Sequence, residues 1–277
     1  MNQFRFNEDL LMFSRILTLM TFCLLMIFLG GCITETKGDD PFKEPDAAGL
    51  EKAHQLYVDI AYQHIQNREY DRALKSISKA LEIKPRSAMA YAAEAEVFNR
   101  QKDTELAENS YKKAIRFDDK YMPVRLNYGN FLFFQQRYEE ACEQFRIASS
   151  DVYYEMRSGA SHNLGKCLLK LSRFEEAEKA FNISVNLDPE NTSALYELAN
   201  TRFLLNDFSG SAKYYRAYVG RLRLAGQPQS PEGLWLGIRL ERLFGNKDNE
   251  ASYGLMLKNL YPYSNEYLQY KNSLPNQ

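Results

Sequence analysis

The sequence predicts an all-α fold, a solenoid of about six helix–turn–helix repeats behind a hydrophobic leader. Three observations carry that reading. Five segments align with one another: NREYDRALKSISKAL, QKDTELAENSYKKAI, QQRYEEACEQFRIAS, LSRFEEAEKAFNISV and LNDFSGSAKYYRAYV. The first four begin at Asn67, Gln101, Gln135 and Leu171 and the fifth follows Leu204, so the early steps are 34, 34 and 36 residues. Such a period means one supersecondary unit stacked on the next. Composition agrees: 19 Tyr and 17 Phe, with Ala and Leu and only 14 Gly, suit helix packed on helix better than a sheet. Finally, Pro85 and Pro189 stand where a second helix must stop before the next repeat.

The leader comes first along the chain. Ile16 to Leu29 (ILTLMTFCLLMIFL) is apolar or uncharged and stands behind Arg5 and Arg15. A short apolar run between a basic residue and a small-residue site reads as a secretory signal peptide. The rival reading is an uncleaved anchor, since the uncharged stretch from Ile16 to Thr34 just reaches the length of a membrane span. Leu29-Gly30-Gly31-Cys32 separates the two, because it resembles the bacterial lipobox. There the two small residues let a peptidase grip extended backbone just ahead of the cysteine. The resemblance implies that residues 1–31 are removed and Cys32 is acylated, so the expected covalent addition is lipid, with no other cofactor. Ile33 after the cysteine, rather than Asp, is similar to the pattern of enteric lipoproteins sent to the outer membrane. Several acyl chains make such an anchor stable. Residues 32–49, with Pro41 and Pro45, then form a tether.

The repeat domain is expected over residues 50–271, with repeats near 54–87, 88–121, 122–155, 158–191, 192–225 and 232–264. A 34-residue period with Ala and aromatic residues at these spacings is that of the tetratricopeptide repeat. Ala73, Ala107, Ala141 and Ala177 fall where each second helix crosses its first helix closely. Ala61, Ala95, Gly129, Gly165 and Ala199 are the small positions on the first helices. Ile77, Tyr111, Phe145 and Phe181 are among the large residues that fill the space beside them. After Val219 the rhythm loosens into a loop with Pro228 and Pro231. A sixth, degenerate repeat follows, its two helices split at Gly245-Asn246-Lys247-Asp248. Residues 264–277 give a polar-faced cap and tail, which a solenoid needs for solubility.

The residues offer no catalytic constellation. The formal net charge of −1 announces no surface for nucleic acid. His54, His64 and His162 lie in no HExxH, no cysteine pair has zinc spacing, and no GxSxG or phosphate-binding glycine loop is present. A non-enzyme without metal is expected. Binding is the better expectation, because the first helices of such a superhelix line its concave groove. Tyr62, Asn99, Asn130, Phe133, Phe134, Lys166, Asn200 and Phe203 point there by position. Asn130 with Phe133-Phe134, and Asn200 with Phe203-Leu204, each set an amide beside aromatic or aliphatic surface. The competing role for Phe133 and Phe203 is packing against the neighbouring helix.

SPEGLWLGIRLERLFGNKDNEASYGLMLKNLYP, Ser230 to Pro262, resembles the closing repeat of the PilF/PilW family of type IV pilus biogenesis lipoproteins. LNYGNFLFFQQRYEEACEQF and NLGKCLLKLSRFEEAEKAF are similar to that family too. The resemblance covers nearly the whole mature chain, and LWLGIRLER and GNKDNEASY lie outside the general repeat pattern. It implies a monomeric pilotin that binds subunits of the outer-membrane secretin and promotes their assembly. Other envelope adaptors built on the same repeat, for proteases or peptidoglycan synthases, are the alternative. Relatives carry a cysteine where this chain has Phe133, paired with one equivalent to Cys167, whereas the second mature cysteine here is Cys142. Cys142 and Cys167 are either a disulfide in an oxidising compartment or two buried small hydrophobes.

Overall fold

The computed structural model describes residues 46–274. The leader, Cys32 and nearly all of the 32–49 tether lie outside the described residues. Within them the chain forms thirteen helices and no strand. They pair as α1 (Ala47–Gln66) with α2 (Tyr70–Ile83), α3 (Ala88–Gln101) with α4 (Thr104–Phe117), and α5 (Met122–Phe134) with α6 (Tyr138–Ser150). Next come α7 (Arg157–Lys170) with α8 (Phe174–Leu187), α9 (Thr192–Leu204) with α10 (Phe208–Leu224), and α11 (Pro231–Leu243) with α12 (Lys247–Leu260). A short α13 (Asn265–Asn272) closes the stack, capped by Ser264, whose Oγ accepts from the Tyr267 amide at 3.1 Å. The first helix starts earlier than the tether assignment allowed. Asp46 explains this: its Oδ1 accepts from the Gly49 amide at 2.7 Å and satisfies a first-turn donor at the helix start.

One backbone device repeats at every turn within a pair. Arg68, Lys102, Gln136, Ser172 and Asn206 all have φ near +60°, 34 or 36 residues apart, and Gly245 takes the same role in the sixth repeat. In each case the next amide reaches back to close the helix: Glu69 to His64, Asp103 to Phe98, Arg137 to Leu132, Arg173 to Leu168, Asp207 to Arg202 and Asn246 to Glu241, at 2.8–3.0 Å. The left-handed residue uses up orphan carbonyls and reverses the chain in minimal length. Five of the six positions tolerate a side chain there at a cost of about 1 kcal/mol each, which the packing on both sides offsets.

That packing runs through the small positions. Ala73, Ala107, Ala141 and Ala177 are all fully buried. What lies over Gly129 is the ring of Phe145, and over Gly165 the ring of Phe181. The large residue of each second helix, rather than its alanine, is therefore what the glycine of the first helix makes room for. Between repeats, Glu108 of α4 takes a forked pair from Arg137 (2.7 and 3.0 Å), and Arg202 of α9 reaches Glu178 of α8 at 2.8 Å. Cys142 on α6 and Cys167 on α7 are both buried, their Cα atoms 5.6 Å apart, the span a disulfide requires.

The sixth repeat departs from the pattern for a visible reason. Gly233 and Gly237 of α11 fit beneath Tyr218 and Tyr215 of the preceding helix, not against their own partner helix. The Tyr215 hydroxyl donates to Gln229 at 2.6 Å, and Tyr218 Oη accepts from the Ser230 amide at 3.3 Å, so the two tyrosines also pin the connecting loop. Leu234 and Ile238 meet Leu257 of α12 in a separate small core under Trp235, Tyr253, Tyr261, Tyr267 and Tyr270.

Candidate functional groove

The first helices α5, α7, α9 and α11 bring two clusters of side chains together. In the first, Asn130, Phe133 and Phe134 of α5 meet Asn163 and Lys166 of α7 around a cavity of about 170 Å³, with Phe145 as its floor. Asn163 Nδ2 donates to Asn130 Oδ1 at 2.9 Å, which fixes the Asn130 amide and leaves its NH₂ group for a ligand. Phe133 is half-buried, edge-on to Phe134 and to Tyr138. Phe134 is 82% exposed. A large aromatic ring left in water beside a cavity lined by two further phenylalanines, two amides and a lysine offers a surface that suits a partner. Lys166 is exposed at the opposite rim.

Lower in the same wall sits His162, half-buried and edge-on to Phe181, its Nε2 3.4 Å from Ser193 Oγ. Burial, reinforced by Lys166, pushes its pKa down to about 4, so it is neutral at physiological pH. It packs rather than titrates.

The second cluster joins α9 to α11. Phe203 packs edge-on against Phe208, with ring centroids 5.3 Å apart, and carries the Arg239 guanidinium over its face at 4.4 Å. The same guanidinium lies 5.6 Å from the Trp235 ring. Asn200, one turn before Phe203, has no side-chain partner among the described residues. Burial raises the Glu197 pKa, with Lys166 pulling the other way, so this carboxyl shares charge with the first cluster.

Sequence reasoning placed Asn130, Phe133, Phe134 and Lys166, and the structure brings those four together. It sets Asn200 and Phe203 on the adjoining wall. Tyr62 and Asn99 are apart from both clusters: Tyr62 packs against the core of the first repeat, and Asn99 is half-buried on α3. Asn163 and Arg239 were not anticipated, and Trp235 was expected to mark an alternative surface on the last repeat rather than a wall of the groove. Arg239 follows Trp235 by one helical turn inside LWLGIRLER, so the pairing of the two was available from spacing alone. A wider hollow of about 520 Å³ between Glu94, Phe98, Leu106 and Lys113 is open, and Ser110 Oγ donates to Glu94 at 2.7 Å across its wall.

Stacked helix pairs closed by recurring left-handed turns, with amides and aromatics along the first helices, define a tetratricopeptide-repeat protein. The tetratricopeptide repeat family matches residues 58–121 and 162–231. The type IV pilus assembly protein PilF of Pseudomonas aeruginosa is 36% identical over 248 residues, spanning 90% of this chain and 95% of that protein. A solved structure of Pseudomonas aeruginosa PilF covers 82% of this chain and 100% of its own, with a TM-score of 0.72 and 35% identity. The crystal structure of PilW, a widely conserved type IV pilus biogenesis factor, covers 79% and 98%, with a TM-score of 0.63 and 26% identity. The chain belongs to the PilF/PilW family of type IV pilus biogenesis proteins. No helix among the described residues is long and apolar enough to cross a membrane.

Proposed function

We propose that this protein is a pilotin, a monomeric outer-membrane lipoprotein that captures subunits of the type IV pilus secretin and promotes their localisation and multimerisation. The observation that carries the reading is the identity to PilF along 90% of the chain, joined to an open groove with Phe134 82% exposed. A solenoid wall of amides, aromatics and two flanking cations suits a polypeptide rather than a small metabolite. The protein acts as an adaptor and not a catalyst: among the described residues the two Ser–His contacts serve packing, with Ser87 buried against His54 at 2.7 Å while it caps α3, and Ser193 3.4 Å from the half-buried His162. Lipid on Cys32 holds the groove at the inner leaflet of the outer membrane, where secretin subunits arrive.

The test is a deletion strain assayed for heat-resistant secretin multimers, with the monomer measured in the same envelope fraction. Loss of multimers with monomer still made supports the pilotin reading. Normal multimers and normal twitching motility remove it.

A further inference from the structure

Arg239 is unusual among the cations of the groove. The central carbon of its guanidinium lies 4.4 Å from the centre of the Phe203 ring and 5.6 Å from that of Trp235. Its Nε is shielded from solvent with no acceptor, and no carboxylate among the described residues pairs with it. Arg202, one repeat earlier, also has a buried Nε without an acceptor and lies 5.0 Å from the Tyr214 ring, but it is neutralised by Glu178 and Asp207. Arg239 has the aromatic support without the neutralising acid. A half-buried charge of this kind has lost water and gained no counter-ion, so an incoming anionic oxygen recovers interaction that the folded protein leaves unused.

We infer that Arg239, on its shelf of Phe203 and Trp235, is the recognition point for an acidic side chain of an extended polypeptide lying in the groove. The inference rests on the groove being the capture surface. With the guanidinium 4.4 Å over Phe203 and no hydrogen bond made by its Nη atoms among the described residues, those nitrogens are available to fork onto a carboxylate. The rings on either side exclude water and favour an apolar neighbour next to the acid. Asn200 lies one turn before Phe203 on α9 with no partner of its own, placed to take main-chain groups of the same segment. The acid is therefore a side chain of a passing segment and not a chain end. Glu197, Glu232 and Arg239 all act on Tyr196, and Lys166 and Lys170 act on Glu197, so three cations stand against two acids around this wall.

The experiment uses the full mature chain in detergent, with the Arg239 Nε–H signal followed by nitrogen-15 NMR. Shielding from solvent keeps that proton slow to exchange and visible. The probe is acetyl-Phe-Glu-Phe-amide, whose only charge is the glutamate. The expected result is a saturating shift of the Arg239 signal and binding at least about tenfold tighter than that of acetyl-Phe-Gln-Phe-amide. Arg239→Gln, with helicity unchanged by circular dichroism, should abolish that discrimination. Equal binding of the two probes overturns the inference. So does the absence of a shift with the glutamate peptide at about 10 mM, well beyond a millimolar dissociation constant, and so does discrimination retained in Arg239→Gln. A shift seen only with acetyl-Phe-Gln-Phe bearing a free C-terminus also overturns it and assigns the shelf to chain ends. None of these outcomes bears on secretin multimers, so the pilotin reading stands or falls separately.

Discussion

A Cβ at Gly165 on α7 would stand 2.6 Å from the ring of Phe181 on α8, and a Cβ at Gly129 would stand as close to the ring of Phe145 one repeat earlier. The two helices of these pairs approach closely because one side presents only hydrogen to the other. Gly165→Ala should overpack that crossing and destabilise the protein by about 1–3 kcal/mol. A methyl added at Gly159, on the same helix, would meet nothing within 4 Å, so Gly159→Ala should stabilise by up to about 1 kcal/mol through helix propensity. Denaturant titration of both variants checks this. Equal effects would mean that the Phe181 ring moves aside without cost.

The Glu108 network makes a pH prediction. Hydrogen bonds from Arg137, then Lys112 and Tyr128, hold the Glu108 pKa down to about 2. A carboxylate with a depressed folded pKa stabilises fully above its ordinary value of 4.5 and loses that contribution as pH falls toward 2. The expected outcome is a falling melting temperature between pH 4.5 and 2, with Glu108→Gln showing a shallower decline. Both partners are partly solvated, so the contribution is about 1 kcal/mol. Parallel curves for the two proteins would contradict it.

Cys142 and Cys167 give a third. Their Cα separation of 5.6 Å joins repeat three to repeat four if they oxidise. Protein taken from an oxidising compartment should show no free thiol at either position by alkylation and mass spectrometry. A Cys142→Ser, Cys167→Ser double variant should lose about 3.5 kcal/mol, the chain-entropy value for a loop of this length. Two alkylated thiols in the native protein would leave them as buried small side chains.

Anchoring is tested at Cys32. Cys32→Ser should leave an uncleaved or mislocalised precursor that takes up no labelled palmitate. Outer-membrane fractionation with labelling intact in that variant would contradict the lipobox assignment.

The fold was legible because a repeat states its rule several times. Five aligned segments gave the helix pairs, and the glycines and alanines at fixed offsets gave their crossings. The recurring left-handed turn was not legible: Arg68, Lys102, Gln136, Ser172 and Asn206 share no chemistry, and only Gly245 advertises its φ. Most of the first cluster followed from counting along one helix. What counting misses is the partner on the next helix. Asn163 looks ordinary until it meets Asn130, and Arg239 looks like any solvent-facing cation until Phe203 is found beneath it. The start of α1 was missed for a similar reason, since Asp46 acts as a cap only once the Gly49 amide is in place.

The central claim is that the groove of the middle repeats captures the partner, and Phe134 tests it most directly. Its ring is 82% exposed, so removing it costs the fold little, whereas truncating an aromatic anchor at an interface typically costs about 2 kcal/mol or more of binding. The measurement is an envelope blot for secretin multimer and monomer in a strain whose only copy carries Asn130→Ala and Phe134→Ala, with an unchanged melting temperature as the control. The account predicts a clear fall in multimer, monomer still present, and few surface pili. Wild-type multimer from that folded variant would contradict the account and take the groove out of the mechanism.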